Sequence, residues 1–184
     1  MEDTKLKNKS VVMVVAFRNF RDEEYFVPKK IFEENGVKIT TASSSLGKAI
    51  GKLGGDTEID VLIENINVDN YDAVIFIGGP GAYNYFDNKV IHQIVQETIE
   101  KNKILAAICI APVILAKSGV LKGRNAVVWS SSLDKSAIKI LKDNGAFFKD
   151  ESVVVDGRII TASGPSAAEE FANKIINLLK QNGR

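Results

Sequence analysis

Short apolar segments that alternate with segments of helical periodicity are the feature that most constrains this chain. Ser10–Phe17, Ala73–Ile77 and Ile104–Ile108 are almost wholly apolar, which is typical of strands covered on both faces of a sheet. Helical spacing lies between them, as in Glu23–Asn35 and Lys89–Asn102. Alternation of this kind predicts an α/β fold with an open, mostly parallel sheet and helices on both faces.

The remaining segments fit the same scheme. Pro28, inside the first helical pattern, is expected to start or kink a turn. Residues 1–9 are polar and predict a loose tail, and residues 10–184 predict a single domain. The other predicted elements are the strands Val37–Ala42 and Asn125–Trp129, a hairpin or edge excursion over Ala49–Ile63, a hairpin of Val153–Val155 with Arg158–Thr161, and the helices Pro112–Lys117, Leu133–Asn144 and Ala167–Lys180.

Composition and charge exclude several classes of protein. The chain has 24 Lys and Arg against 23 Asp and Glu, so its net charge of +1 gives no field that would attract nucleic acid or an anionic membrane. No segment predicts a signal peptide or a membrane span, and we expect a cytoplasmic protein. One Cys and one His cannot form a disulfide within the chain or a zinc site of the usual kind, so we expect no metal.

Cys109 is the residue most suited to chemistry. An apolar strand leads directly to it, and a helix is predicted to begin near Pro112. Strand, nucleophile and helix follow one another in this way at the nucleophile elbow of hydrolases. A thiol at a helix N-terminus is expected to have a lowered pKa. The alternative is that Cys109 is a small buried apolar residue without a chemical role.

A glycine-rich turn follows another predicted strand. Gly78-Gly79-Pro80-Gly81 is suited either to a close backbone approach to an anion or simply to a tight turn. Neither a nucleoside triphosphate loop nor a dinucleotide fingerprint is present, so we expect no cofactor.

Two further features bear on proton transfer. The acidic residues Asp22, Glu23 and Glu24 open the first helix, where negative charge is favoured, so a capping role would explain them. The alternative is that one of the three carboxyl groups turns inward to the site and has a raised pKa. The single His, His92, lies in a helical segment away from the strand ends, and we expect it at or near the surface.

Four segments in order resemble the ThiJ/PfpI superfamily, which includes the parkinsonism-associated deglycase and the intracellular protease I proteins. The resemblance spans about Ser10 to Leu179. The matching segments are Asp22–Pro28 with Glu24 at the acidic position, Phe76-Ile77-Gly78-Gly79, Ala106–Pro112 around the cysteine, and Val153–Gly164 followed by the run from Pro165 to Phe171.

The resemblance implies a flavodoxin-like doubly wound sandwich, usually a homodimer. It implies that Cys109 is a reactive thiolate, that a protonated Glu24 donates a hydrogen bond to its sulfur, and that the backbone N–H groups of Gly79 and Ile110 form an oxyanion hole. It also implies a stress-response role on small reactive carbonyls, of the glyoxalase or deglycase type.

The chain departs from the family at the positions where related proteins carry His. Ile110 follows the cysteine directly, and Trp129 takes the other position, near the short strand after the cysteine helix. Without His, a peptidase lacks the acid that protonates its leaving amine, so an intracellular cysteine peptidase is the less favoured hypothesis unless another chain supplies a His. The remaining alternatives are an oxidant sensor or chaperone-like dimer and a scaffold with an inert cysteine.

Overall fold

The protein is described by a computed structural model over residues 6–181. In that range the strands are β1 (Ser10–Val14), β2 (Arg18–Phe20), β3 (Lys38–Ser43), β4 (Gly47–Gly51), β5 (Asp56–Ile59), β6 (Val61–Leu62), β7 (Ala73–Phe76), β8 (Ile104–Ile108), β9 (Asn125–Ala126), β10 (Phe147–Phe148), β11 (Val153–Asp156) and β12 (Ile159–Ala162). The α-helices are α1 (Asp22–Glu34), α2 (Lys89–Glu100), α3 (Pro112–Lys117), α4 (Ser136–Asp143) and α5 (Ala168–Gln181).

A seven-stranded sheet forms the centre of the fold, in the order β11-β12-β8-β7-β1-β3-β6. Its strands pair in parallel except for the edge strand β11, which forms an antiparallel hairpin with β12. The predicted α/β class and the mostly parallel sheet are therefore confirmed. Because β8, β7 and β1 are neighbours, their carboxyl ends meet at one edge of the sheet, where α/β folds bind ligands.

Apolar cores lie on both faces of this sheet. Along β1, Val11 and Met13 pack in the core that contains residues of α1 and α5, whereas Val12 and Val14 pack in the core that contains residues of α2, α3 and α4. Successive side chains of a strand point to opposite faces, so a strand between two helical layers must be apolar at every position. This explains the uninterrupted apolar run at the start of the chain.

A second, three-stranded sheet places a hairpin beside the carboxyl edge. The predicted first strand, Ser10–Phe17, is shorter than expected, because the chain turns away after β1 and Arg18–Phe20 pairs with β4. Strand β4 then pairs with β5 in antiparallel register. The hairpin or edge excursion predicted over Ala49–Ile63 is thus a hairpin over Gly47–Ile59, whereas Val61–Leu62 pairs with β3 in the main sheet.

One strand and one helix begin or end at residues other than those predicted. The strand predicted over Asn125–Trp129 is confined to β9, because the Val127 N–H donates to the Thr161 hydroxyl instead of to a neighbouring strand. The helix predicted from Leu133 begins only at Ser136. Side-chain hydrogen bonds of Ser131 and Asp134 hold the preceding residues in a turn.

The ends of the chain and the first helix add three findings. Residues 1–5 of the predicted tail lie outside the described residues, but Leu6 and Lys9 are buried, so the packed domain begins at least as early as Leu6. Helix α1 continues past Pro28 to Glu34, because a single proline removes only one hydrogen bond of the helix. No helix in residues 6–181 is long and apolar enough to cross a membrane.

Candidate active site

Cys109 lies directly after β8, in a backbone conformation that few residues other than glycine adopt. Its φ angle is 64°, in the left-handed region. The Cys109 N–H donates to the Ala162 carbonyl at 2.8 Å, and the Cys109 carbonyl accepts from the Trp129 N–H at 2.8 Å. Two neighbouring segments therefore hold this strained residue, as at a nucleophile elbow.

Two backbone N–H groups near the cysteine sulfur favour its ionised form. They belong to Ile110, the next residue, and to Gly79, in the turn after β7. Gly79 has a φ angle of 103°, and a Cβ atom there would lie 2.4 Å from the Arg21 nitrogen. Only glycine fits this position. The structure thus brings Cys109, Ile110 and Gly79 together, as the sequence predicted.

Glu24 reaches the same place from the first turn of α1. Its side chain is fully buried, and Oε2 accepts a hydrogen bond from the Gly78 N–H at 3.0 Å. Oε1 is buried and has no hydrogen-bond partner among the described residues, and the carboxyl lies close enough to the Cys109 sulfur for each group to affect the pKa of the other. Burial raises the pKa of Glu24 to about 7. Of the two alternatives left open for the acidic cluster, the inward-turned carboxyl applies to Glu24.

Glu24 and Cys109 ionise as a pair. Burial and the negative charge of the Glu24 carboxylate raise the pKa of the Cys109 thiol, and the N–H groups of Ile110 and Gly79 only partly oppose them. The lowered pKa predicted from a helix N-terminus is therefore wrong, because burial, the largest cause of the raised pKa, acts whether or not Glu24 is ionised. Helix α3 is also short and begins three residues after the cysteine. Protonation of Glu24 removes the carboxylate charge, so the pair is expected to share one proton above about pH 7.

The other two acidic residues have structural contacts. Asp22 accepts hydrogen bonds from the N–H groups of Leu53 and Gly55, at 2.8 and 2.7 Å, and so holds the turn between β4 and β5. Glu23 binds the Arg21 guanidinium through two hydrogen bonds, of 2.8 and 3.1 Å. Three consecutive carboxyl groups therefore serve three different purposes, because helical geometry points them in different directions.

Replacing Asp22 by Asn is expected to destabilise the protein by about 1–3 kcal/mol, because a charged acceptor of two backbone N–H groups is lost. Urea unfolding measures the change in the free energy of unfolding. Glu23→Gln is the matched control, with an expected loss of less than about 1 kcal/mol, since its ion pair is partly exposed to solvent. Equal losses in the two variants would contradict the role assigned to Asp22.

A cavity of about 240 Å³ opens onto the cysteine. Sequence reasoning named four of its lining residues as site residues: Glu24, Gly79, Cys109 and Ile110. It did not assign Arg21, Lys52, Tyr83 or Pro165 to the site, and no local pattern marks them. Trp129 was placed near the cysteine from the resemblance, and it does line the cavity. The full lining is Arg21, Glu24, Lys52, Gly79, Pro80, Tyr83, Cys109, Ile110, Trp129 and Pro165.

His92 is not part of this cavity. It is partly exposed on α2, as predicted, and its Nε2 atom lies 2.7 Å from the Phe86 carbonyl. Within residues 6–181, no group of three or more His, Cys, Asp or Glu side chains has the arrangement of a metal site.

Comparison with known proteins places this site in a family context. A family model described as DJ-1/PfpI family matches residues 9–178. The chain is 39% identical over 178 residues to an uncharacterised protein of Methanocaldococcus jannaschii, MJ0967, covering 96% of this chain and 85% of that protein. It is 29% identical to the deglycase TK1284 of Thermococcus kodakarensis, covering 92% and 99% of the two chains.

Solved structures agree with this result. The crystal structure of a ThiJ/PfpI domain protein from Brachyspira murdochii superposes with a TM-score of 0.89 at 34% sequence identity. The match covers 94% of this chain and 96% of that one. The sheet, the helical layers and the elbow described above therefore follow the architecture of that group of proteins.

Proposed function

The chain belongs to the DJ-1/PfpI family, and on that premise we propose that it converts small reactive carbonyl compounds, using Cys109 as the nucleophile and Glu24 as the proton carrier. One observation carries the proposal. The Glu24 carboxyl is fully buried beside the Cys109 sulfur, and its Oε1 atom has no hydrogen-bond partner among the described residues. A proton on Oε1 would satisfy this atom by donation to the sulfur and would favour the thiolate.

The proposed reaction begins with the addition of the thiolate to an aldehyde. A C–S bond forms, and the electron pair of the C=O bond moves to oxygen, which takes the proton from Glu24. The Glu24 carboxylate then removes the proton of the former aldehyde carbon, and the electron pair of that C–H bond forms the C=C bond of an enediolate as the adjacent carbonyl pair moves to its oxygen. Protonated Glu24 returns this proton to the adjacent carbon, and the hydroxyl proton of the sulfur-bearing carbon passes to the other oxygen as the new C=O bond forms. A thioester results, and water hydrolyses it to a 2-hydroxy acid and the free thiol. The Gly79 and Ile110 N–H groups are suited to hold the developing oxyanion.

Two other hypotheses have less support from the site. Peptide hydrolysis needs an acid for the leaving amine, and His92 lies outside the cavity with its ring hydrogen-bonded to a backbone carbonyl. An oxidant sensor uses the same thiolate but has no need of a formed cavity beside it. The 240 Å³ space favours a small-molecule substrate. The homodimer implied by the family stays a prediction.

Turnover of methylglyoxal to lactate tests the proposal. The wild-type protein is expected to produce lactate catalytically, and Cys109→Ser is expected to be inactive, because a serine hydroxyl lacks the nucleophilicity of a thiolate. Lactate formation is followed by an enzymatic end-point assay, with His92→Gln as a control that should retain activity. Wild-type turnover no faster than that of Cys109→Ser would reject the proposal.

A further inference from the structure

We infer that the cavity beside Cys109 selects carbonyl compounds that carry a carboxylate, with Lys52 as the principal specificity residue and Arg21 as its partner. The inference rests on the proposed function, since it names the substrate class of the same site. Neither cation takes part in the bond-forming steps described above. Both side chains line the same cavity as Cys109, and this position gives them a role in selecting the substrate.

Lys52 is held at the cavity by its backbone. Its N–H donates to the Phe20 carbonyl at 2.8 Å, and the Asp22 carboxylate fixes the following residues of the turn. No acidic side chain lies within ion-pair distance of the Lys52 ammonium among residues 6–181, whereas Lys48, on the same hairpin, pairs with Asp56 at 3.4 Å. An unpaired cation on a fixed turn at a cavity is suited to meet an anionic ligand.

Arg21 supplies a second positive charge, which Glu23 partly balances. The carboxylate of Glu23 engages the Nε and Nη2 atoms of the guanidinium and does not engage Nη1. Arg21 is also close enough to Cys109 to interact with it electrostatically. Arg21, Glu23 and Lys52 together carry a net charge of +1, and the Glu24–Cys109 pair carries −1 while it shares one proton, so these five groups are neutral overall. A carboxylate beside Lys52 therefore adds one negative charge to a neutral cavity, whereas a dianionic phosphate adds two.

The volume of the cavity and its apolar lining restrict the size and chemistry of the ligand further. At about 240 Å³ the cavity lies just below the range of about 300–1,000 Å³ that is usual for small-molecule sites. Trp129, Tyr83 and Pro165 provide apolar surface. The site therefore suits an α-oxoaldehyde of a few carbon atoms whose far end carries a carboxylate.

Alkylation of Cys109 with a matched pair of reagents tests the inference without requiring turnover. Iodoacetate is anionic and iodoacetamide is neutral, and with each the thiolate forms a C–S bond and iodide leaves. The chain has one cysteine, so the rate constants report Cys109 alone. A change in the thiol pKa affects both reagents equally and cancels in the ratio of their rate constants.

Lys52→Met is expected to lower the ratio of the iodoacetate to the iodoacetamide rate constant by about fivefold, as expected for the loss of one screened charge near the reacting carbon. Lys48→Met, which changes the net charge equally but lies outside the cavity, is expected to leave the ratio unchanged. An unchanged ratio in Lys52→Met, or an equal fall in Lys48→Met, would overturn the inference.

The outcome is separable from that of the proposed function. If methylglyoxal is not converted but the ratio falls in Lys52→Met alone, the proposed activity fails and the selection of anions stands. If lactate forms but the ratio does not respond to Lys52→Met, the activity stands and the carboxylate selectivity is rejected.

Discussion

The free energy of unfolding of the wild-type protein is expected to fall by about 3 kcal/mol as the pH rises from about 4.5 to about 7, and Glu24→Gln is expected to remove this fall. The pKa of Glu24 is raised from 4.5 to about 7 by burial. Between these values the folded protein binds a proton that the unfolded chain has released, so the free energy of unfolding falls as the pH rises. Glutamine cannot ionise, and the variant should lack this slope. Urea unfolding at a series of pH values measures it.

Glu23→Gln is the matched control for this experiment. Glu23 is partly exposed, and its hydrogen bonds with Arg21 lower its pKa. The stability that it contributes is present above its unfolded pKa and is lost below it, as the pH falls. The slope between pH about 4.5 and about 7 should therefore persist in Glu23→Gln. A slope that also persists in Glu24→Gln would show that the Glu24 carboxyl does not titrate in this range.

The same variant is informative about the cysteine. In the wild-type protein burial and the Glu24 carboxylate raise the pKa of the Cys109 thiol, so the rate of alkylation should rise with a pKa above the usual range of a thiol. In Glu24→Gln the carboxylate charge is absent, so the pKa of the thiol should fall relative to the wild-type protein, and the alkylation rate at a given pH should increase. Iodoacetamide alkylation against pH measures both values.

Gly79→Ala is expected to destabilise the protein by about 3–5 kcal/mol and to remove most of its carbonyl activity. The backbone of Gly79, at φ 103° and ψ 168°, lies in a region that is essentially restricted to glycine. An added Cβ would come within 2.4 Å of the Arg21 nitrogen and 2.7 Å of the Asn19 carbonyl oxygen. Backbone atoms cannot move aside as a side chain would, so the turn must shift and its N–H group must leave the Cys109 sulfur.

Gly54→Ala separates backbone strain from steric overlap. Gly54 has a similar φ angle of 94°, but a Cβ atom there meets nothing within 4 Å. Its expected cost is therefore only about 1–2 kcal/mol, with carbonyl activity retained. Chemical unfolding and methylglyoxal assays on both variants measure the difference. Equal losses of stability in Gly79→Ala and Gly54→Ala would mean that the close packing around Gly79 has no energetic consequence.

Local sequence was sufficient to predict the buried strands of the sheet and two residues of the site, Cys109 and Gly79. Apolar runs determine which segments are buried strands, and the carboxyl ends of parallel strands share one edge of the sheet, so periodicity places Cys109 and Gly79 at that edge. That β7 and β8 are neighbours, which brings the two residues together, is known only from the structure. The first and last residues of the strands and helices were less predictable. Phe17 continues the apolar run of β1, yet the chain has already left the main sheet, because apolarity reports burial and not the strand with which a segment pairs.

The choice among the acidic residues depended on more than sequence pattern. Asp22, Glu23 and Glu24 are alike in composition, and the family resemblance singled out Glu24. The structure shows the physical basis: only the Glu24 side chain faces the interior at the elbow, while Asp22 binds the hairpin turn and Glu23 binds Arg21. Local helical geometry sets the direction in which each side chain leaves α1, but the groups that it contacts depend on how α1 packs against the rest of the fold.

The sequence by itself determined the fold class, the cysteine at the strand end and the glycine that must approach it, because these follow from periodicity and backbone sterics. Only the tertiary structure decided the ionisation of the pair and the charge of the cavity. Lys52 and Trp129 are far from Cys109 along the chain, and they meet it only through the hairpin and the folded sheet edge. A pKa depends on burial and on neighbouring charges, which are properties of the folded chain and not of any segment of it.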